Sequence, residues 1–128
     1  GVMNYSESTI VHYRRAWKER DERSRAMQEH RRLEAREEAV RLAAVVARQP
    51  EVSKVVLFGS TVVPDRFRED SDIDLAVWGL APEKYFSVLS SLERESRFSI
   101  DLIPAEDAQA SMRKRIETGE VLFERKGT

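Results

Sequence analysis

The chain changes character near residue 38, and this change limits where a hydrophobic core can form. Between residues 14 and 38, 16 of 25 residues are charged, nine basic and seven acidic, and none is glycine or proline. Opposite charges recur at the four-residue spacing of a helix, as in Glu19 with Arg23. The apolar residues among them form only a thin stripe, which is too narrow to build a core by itself. We therefore predict a charged helical extension over residues 1–38 and a folded domain over residues 39–126.

The extension is predicted to be the first part of one long helix. From Ala39 to Ala47 the sequence becomes apolar on most helical faces, and Pro50 marks the end of the helix. We expect the helix to project from the body at its start and to pack against the body at its end. Two interpretations of the projecting part remain open. It is either a solvated, salt-bridged helix or an arm that forms a homodimer or hetero-oligomer.

The remainder alternates between short strands and helices. The β-branched run Lys54–Phe58 predicts a buried strand, and Pro82 opens a helix that continues to about residue 96. In that helix we expect Tyr85, Phe86 and Leu89 to pack against a sheet. Further strands are predicted over residues 72–77, 98–103 and 121–123, and a helix over residues 105–118, with Gly119 as its C-cap. The fold class is therefore α/β (α+β), with a small mixed sheet flanked by helices.

Composition excludes several classes of function. The chain has no cysteine, which excludes disulfides and thiolate zinc sites. Its formal net charge of −1 disfavours direct binding to nucleic acid, because that function requires a basic surplus or patch. The longest apolar run, residues 42–47, is too short to cross a bilayer, and nothing resembles a signal peptide. We expect a cytoplasmic protein with no membrane partner.

A sharp turn follows the first predicted strand. The strand runs directly into Gly59 and Ser60, where the chain must change direction. Glycine lets the backbone approach a phosphate closely, and the serine hydroxyl and the amides that follow can donate hydrogen bonds to it. The sequence therefore predicts a phosphate-binding turn.

Three aspartates are predicted to lie beside this turn. Asp72 and Asp74 are two residues apart in a strand, so their side chains leave the same face about 7 Å apart. Asp101 lies in the next strand between two apolar residues and projects from the face opposite to theirs. Carboxylates that share a face repel each other unless a cation lies between them, and hard oxygen ligands suit Mg²⁺ bound together with substrate phosphates. If the two strands are adjacent, the three carboxylates form a site suited to two-metal phosphoryl or nucleotidyl transfer.

These motifs resemble those of a known family. VVLFGS, an 11-residue interval, DIDLAV and then FSIDLI are similar to the minimal nucleotidyltransferase (MNT) domains of the DNA-polymerase-β-like superfamily. The resemblance covers about residues 39–124 and implies the palm-like nucleotidyltransferase fold. It implies that Gly59 and Ser60 hold a nucleoside triphosphate and that Asp72 and Asp74 hold Mg²⁺. It also implies that Asp101 completes a second metal site or acts as the base.

The resemblance also implies a function and partners. MNT domains transfer a nucleotide, commonly AMP from ATP, to a hydroxyl and release pyrophosphate. In bacteria they are often antitoxins beside a HEPN-type ribonuclease toxin, and some add AMP to a tyrosine of that toxin. The expected function is thus Mg²⁺-dependent transfer to a partner protein. Two alternatives stay open: an antitoxin that acts by complex formation with little or no catalysis, and an aminoglycoside-type enzyme that modifies a small molecule.

The interval between the motifs departs from the family pattern. It is one residue longer than is typical, and Val62, Val63 and Pro64 stand where many relatives carry an Arg-Gly pair. Arg66 and Arg68 of the same loop are our hypothesis for the missing guanidinium. Two other features are expected to have structural roles only. His12 and His30 are expected to be surface residues, and Trp78 is expected to be a core or rim aromatic in preference to a base-stacking residue.

Overall fold

The computed structural model of the chain describes residues 6–126. Residues 1–5 of the predicted extension therefore lie outside the described residues. The α-helices are α1 (Glu7–Val46), α2 (Tyr85–Glu95) and α3 (Ala110–Glu117), and the strands are β1 (Lys54–Phe58), β2 (Ile73–Trp78), β3 (Ile100–Pro104) and β4 (Glu120–Glu124). Short 3₁₀ helices span Gly59–Val62, Pro82–Lys84 and Ala105–Asp107. The predicted α/β class is confirmed.

The four strands form one mixed sheet in the order β3-β2-β1-β4. β2 pairs with β3 in parallel, and the other two pairings are antiparallel. A parallel pair needs a crossover connection, which α2 provides between β2 and β3. The second and third predicted strands are therefore adjacent, which is the condition on which the meeting of the carboxylates depended.

Helices cover the two faces of the sheet unequally. The larger core lies between the sheet and the helices α1 and α2, and it contains the alternate residues Ile73, Leu75 and Val77 of β2. The opposite face carries Ala76 and a smaller core that includes Ile116 of α3. Asp74 and Asp101 fall on this second face, because side chains alternate along a strand. Since α3 is only eight residues long, part of this face remains uncovered.

Helix α1 is one continuous helix that projects at its start and packs at its end, as predicted. Ser6 caps its N-terminus by accepting a hydrogen bond from the amide of Thr9 at 3.2 Å. Its first fully buried side chain is Ala35, while Trp17 and Met27 nearer its start are 65% and 69% exposed. Among residues 6–126, none of the helices combines the length and apolar character needed to cross a bilayer.

Three arginines of α1 connect this helix to the body of the domain, and one of them, Arg41, donates a 2.6 Å hydrogen bond to the carbonyl of Glu95 at the end of α2. Arg36 forms an ion pair with Glu120 of β4. Arg32 donates a 2.9 Å hydrogen bond to the carbonyl of Thr61, in the turn that follows β1, and its side chain is only 12% exposed. Arg32 is itself held by Glu29, one turn earlier in α1. The long helix therefore stabilises the predicted phosphate-binding turn through the hydrogen bond from Arg32.

Three local predictions were wrong. The helix predicted over residues 105–118 begins only at Ala110, because the backbone is extended at Ala108 and Gln109 after a short 3₁₀ helix. Phe86 is 76% exposed and does not pack against the sheet, because the buried stripe of α2 runs through Val88 and Leu92. Helix α3 ends at Glu117 with Thr118 as its C-cap, one residue before the predicted Gly119. The glycine is instead a point of close approach, since a Cβ there would lie 2.4 Å from the carbonyl oxygen of Leu57.

Candidate active site

Gly59 is required by the geometry of the turn after β1. Its φ of +78° lies in the left-handed region that favours glycine. A Cβ at this position would lie 2.2 Å from Oδ2 of Asp74 and 3.4 Å from Nη2 of Arg115. The turn therefore passes directly over the carboxylate of Asp74, and any larger residue would displace that side chain.

The sheet register brings Asp74 and Asp101 side by side. Asp74 of β2 lies opposite Phe58 of β1 on one side and opposite Asp101 of β3 on the other. Neighbouring strands are separated by about 4.8 Å, so two carboxylates on one face at paired positions must interact. Asp72 immediately precedes β2 and is exposed, as is Asp101, whereas the side chain of Asp74 is only 18% exposed. All three predicted aspartates and the predicted turn thus lie at one end of the sheet.

The electrostatics of this cluster are unfavourable when all of its carboxylates are ionised. Burial and the charge of Asp101 raise the pKa of Asp74 to about 6, with a smaller contribution from Asp72 in the same direction. The guanidinium of Arg115 opposes this effect, and its Nη2 lies 4.0 Å from Oδ2 of Asp74. A buried carboxylate with like charges beside it is the arrangement that a bound cation would relieve.

The donor set fits a divalent cation that is shared with substrate phosphates. Carboxylate oxygens on neighbouring strands are the hard ligands that Mg²⁺ prefers, and Mg²⁺ usually takes one or two carboxylates together with phosphate oxygens. Within residues 6–126, no group of three or more His, Cys, Asp or Glu side chains converges as a self-sufficient metal site. The fit is therefore to a metal–triphosphate complex, with Asp74 and Asp101 as the central pair. The roles of Asp72, Asp74 and Asp101 stay predictions.

A cleft of about 400 Å³ opens beside the turn. Its lining residues are Gly59, Ser60, Val62, Val63, Arg66, Arg115 and Thr118. Of the two loop arginines in the hypothesis above, Arg66 lines this cleft. Arg68 instead donates hydrogen bonds to its own loop and to Gln28 of α1. The cleft is thus lined by the turn itself and by two guanidinium groups, those of Arg66 and Arg115.

Arg115 is the residue that sequence reasoning missed. It lies on α3, 41 positions after Asp74 in the chain, and only the packing of α3 on the sheet brings the two together. The basic run of residues 113–115 at the end of a short predicted helix was the signal that could have drawn attention to it. Trp78, by contrast, lies at the far end of β2 from Asp74, where the ammonium of Lys54 sits 5.0 Å from its ring centroid.

The comparison with protein families decides what kind of domain this is. Residues 41–128 match the model of the family described as Polymerase beta, Nucleotidyltransferase. The chain belongs to this family. Its nucleotidyltransferase domain begins near the end of α1 and includes the turn, all three aspartates and Arg115.

Solved structures share the fold of this nucleotidyltransferase domain. One is a toxin–antitoxin, MntA–HpeT, that carries two Asp-to-Glu substitutions. Its sequence is 18% identical to this chain, the match covers 67% of this chain and 73% of that chain, and the TM-score is 0.57. Another is a toxin–antitoxin with AMP-PNP, 22% identical, with a TM-score of 0.56, over 70% of this chain and 74% of that chain. No curated protein matches the chain. At these identities the likeness establishes the nucleotidyltransferase fold.

Proposed function

We propose that this chain is a Mg²⁺-dependent nucleotidyltransferase that moves AMP from ATP onto a hydroxyl of a partner protein. The observation that carries the proposal is the paired position of Asp74 and Asp101 on adjacent strands, with Asp74 directly against Gly59 of the turn. Membership of the nucleotidyltransferase family supports the reaction class. The cleft beside the turn is within the usual size range of small-molecule sites.

The proposed roles follow from the positions of the side chains. Gly59 and Ser60 bind the triphosphate at the floor of the cleft, and Asp72, Asp74 and Asp101 hold Mg²⁺. The acceptor oxygen forms a bond to the α-phosphorus, the bond from that phosphorus to the bridging oxygen breaks, and pyrophosphate leaves. Asp101, the more exposed member of the central pair, can accept the proton of the acceptor hydroxyl. When bound, the metal neutralises phosphate charge and lowers the pKa of the attacking hydroxyl.

The proposed partner is a HEPN-type ribonuclease toxin, with this chain as its antitoxin. Both similar structures named above come from toxin–antitoxin proteins, and one of them was solved with an ATP analogue. In this chain the projecting part of α1 exposes large apolar side chains, including Trp17 and Met27, which provide a surface for a partner. We accordingly propose residues 1–38 as an extension that binds the partner and residues 39–126 as the catalytic domain. Because ATP and the RNA targets of a ribonuclease are cytoplasmic, we propose that the reaction takes place in the cytoplasm.

A second candidate is an antitoxin that acts by complex formation alone. It is favoured by the exposed face of α1 and by Val62, Val63 and Pro64, which stand where many relatives carry an Arg-Gly pair. The two candidates differ in one respect. An Asp72→Asn/Asp74→Asn variant should still neutralise the toxin in the binding case and should fail in the catalytic case.

Label transfer tests the proposed function. The chain is incubated with Mg²⁺, the HEPN-type protein encoded beside it and ATP labelled at the α-phosphate or, in a parallel reaction, at the γ-phosphate. We expect the α-label alone to appear on the partner, and we expect transfer to be lost in Asp74→Asn and Asp101→Asn. Asp70→Asn, an exposed aspartate in the preceding loop, is the matched control and should transfer normally. No α-label on the partner, or equal transfer by the Asp74→Asn variant, would overturn the proposal.

A further inference from the structure

Arg115 occupies an unusual position between the carboxylate cluster and the cleft. Its Nη2 lies 4.0 Å from Oδ2 of Asp74, and its guanidinium carbon lies 5.5 Å from the ring centroid of Phe58. The side chain remains 55% exposed. It therefore leans over the sheet from the last turn of α3 without being enclosed, and it retains room to move.

The same guanidinium also faces the place where phosphates would bind. Arg115 and Arg66 both line the cleft that Gly59 and Ser60 also line. Val62 and Val63 of the loop between the motifs also line this cleft and contribute no positive charge to it. A guanidinium matches phosphate oxygens in geometry and can bind two of them at once. The cleft thus presents cations from two separate elements to one polyanion.

The guanidinium of Arg115 cannot pair fully with the carboxylate of Asp74 and with a bound triphosphate at the same time. Without nucleotide, Arg115 is the cation closest to the carboxylate of Asp74 among the ion pairs of the described residues. A triphosphate in the cleft carries several negative charges and offers better hydrogen-bond geometry than a 4.0 Å ion pair. If the guanidinium turns toward the phosphates, Asp74 loses its counter-ion and becomes available to a metal.

We propose that Arg115 is a nucleotide-phosphate ligand that serves as the internal counter-ion of Asp74 until nucleotide binds. Nucleotide binding then releases Asp74 to the divalent cation, so that the nucleotide and the metal enter the site in a coupled way. This inference rests on the proposed function and adds a residue and an order of events to it. It also predicts effects of opposite sign. Removing Arg115 weakens nucleotide binding and strengthens metal binding to the nucleotide-free protein.

The test measures two affinities on the full chain. Binding of a non-hydrolysable ATP analogue with Mg²⁺ is measured by calorimetry, and binding of Mn²⁺ without nucleotide is measured by electron paramagnetic resonance. In Arg115→Ala we expect analogue affinity to fall by about 10- to 100-fold, the range of a lost charge-assisted hydrogen bond. Mn²⁺ affinity should rise several-fold. Arg115→Lys, which keeps the charge without the planar group, should fall between the wild type and Arg115→Ala in both measurements.

Arg113 provides the matched control on the same helix. It lines a different cavity, with Trp78 and Glu117, on another side of α3. Arg113→Ala should leave both affinities unchanged. Unchanged analogue affinity in Arg115→Ala, or a fall in both affinities, would overturn the inference while leaving the proposed function intact. Failure of the wild type and all variants to bind the analogue would instead overturn the proposed function itself.

Discussion

Replacing Asp74 with asparagine should stabilise the metal-free protein while it removes the proposed activity. The side chain of Asp74 is 18% exposed and lies beside Asp101, and burial together with that charge raises its pKa from an ordinary 3.8 to about 6. The difference of roughly two between these values corresponds to about 3 kcal/mol of lost folding free energy at neutral pH. This shift already includes the opposing attraction of Arg115, and solvent screening reduces the effect at a partly buried carboxylate, so we expect a net gain of about 1–2 kcal/mol from asparagine.

The pH dependence of this gain has a definite sign. Because the folded pKa of Asp74 lies above the unfolded one, the folded state retains a proton that the unfolded state releases. The penalty is therefore absent below pH 3.8, grows as the pH rises through about 6 and is complete above that value. At pH 4.5 the difference between wild type and Asp74→Asn should shrink to about a third of its value at pH 7.5.

Urea unfolding in EDTA measures the effect directly. The midpoint of Asp74→Asn should exceed that of the wild type at pH 7.5, and its thermal midpoint should rise by about 3–8 °C. Asp70→Asn, in an exposed loop, controls for the loss of one negative charge and should change little. A variant that is no more stable than the wild type at pH 7.5, or a difference independent of pH, would refute the account of this cluster.

Three further predictions concern the surroundings of the site. Gly59→Ala should lower the unfolding free energy by about 1–3 kcal/mol and abolish binding of an ATP analogue, because its Cβ would lie 2.2 Å from a carboxylate oxygen; wild-type values in urea unfolding and calorimetry would contradict this. Arg32→Met should destabilise the protein by about 1–3 kcal/mol, since it removes the hydrogen bond to the Thr61 carbonyl, and faster amide exchange in the turn should accompany the loss. Phe86→Ser should alter the unfolding free energy by less than about 0.5 kcal/mol. Tyr85→Phe should lower the unfolding free energy by about 1 kcal/mol, because the Tyr85 hydroxyl donates a 2.6 Å hydrogen bond to a β3 carbonyl. Equal effects of the two substitutions would be evidence against this packing.

Much of the fold followed from local patterns that tertiary packing did not override. The β-branched run before Gly59 and the alternation after Asp72 predicted β1 and β2, and the strands differ from the prediction by at most two residues at either end. The second strand begins at Ile73 and not at Asp72 because its pairing with β3 starts there, with the Ile73 amide donating to the carbonyl of Ser99. The predicted proximity of Asp74 and Asp101 depended only on the two strands being neighbours.

What could not be predicted depended on three-dimensional contacts. Phe86 is apolar and helical, but it lies about 100° around α2 from Tyr85 and so falls outside the buried stripe. Gly119 was predicted to be a helix cap, but a glycine is needed there because the β1 backbone passes too close to leave room for a Cβ. Arg115 could not be assigned to the site from sequence, since its position depends on how α3 packs across the sheet. The electrostatic environment of Asp74 likewise depends on burial, which no local pattern reports.

Metal-dependent nucleotide binding by the isolated chain tests the central claim most directly, because it needs no partner. Calorimetry with a non-hydrolysable ATP analogue is performed with and without Mg²⁺, on the wild type and on Asp72→Asn, Asp74→Asn and Asp101→Asn. We predict saturable binding that requires Mg²⁺ in the wild type and is lost in Asp74→Asn, with urea unfolding of the same variant as the check that it is folded. Equal binding by the wild type and all three variants, or binding that is independent of Mg²⁺, would contradict the account.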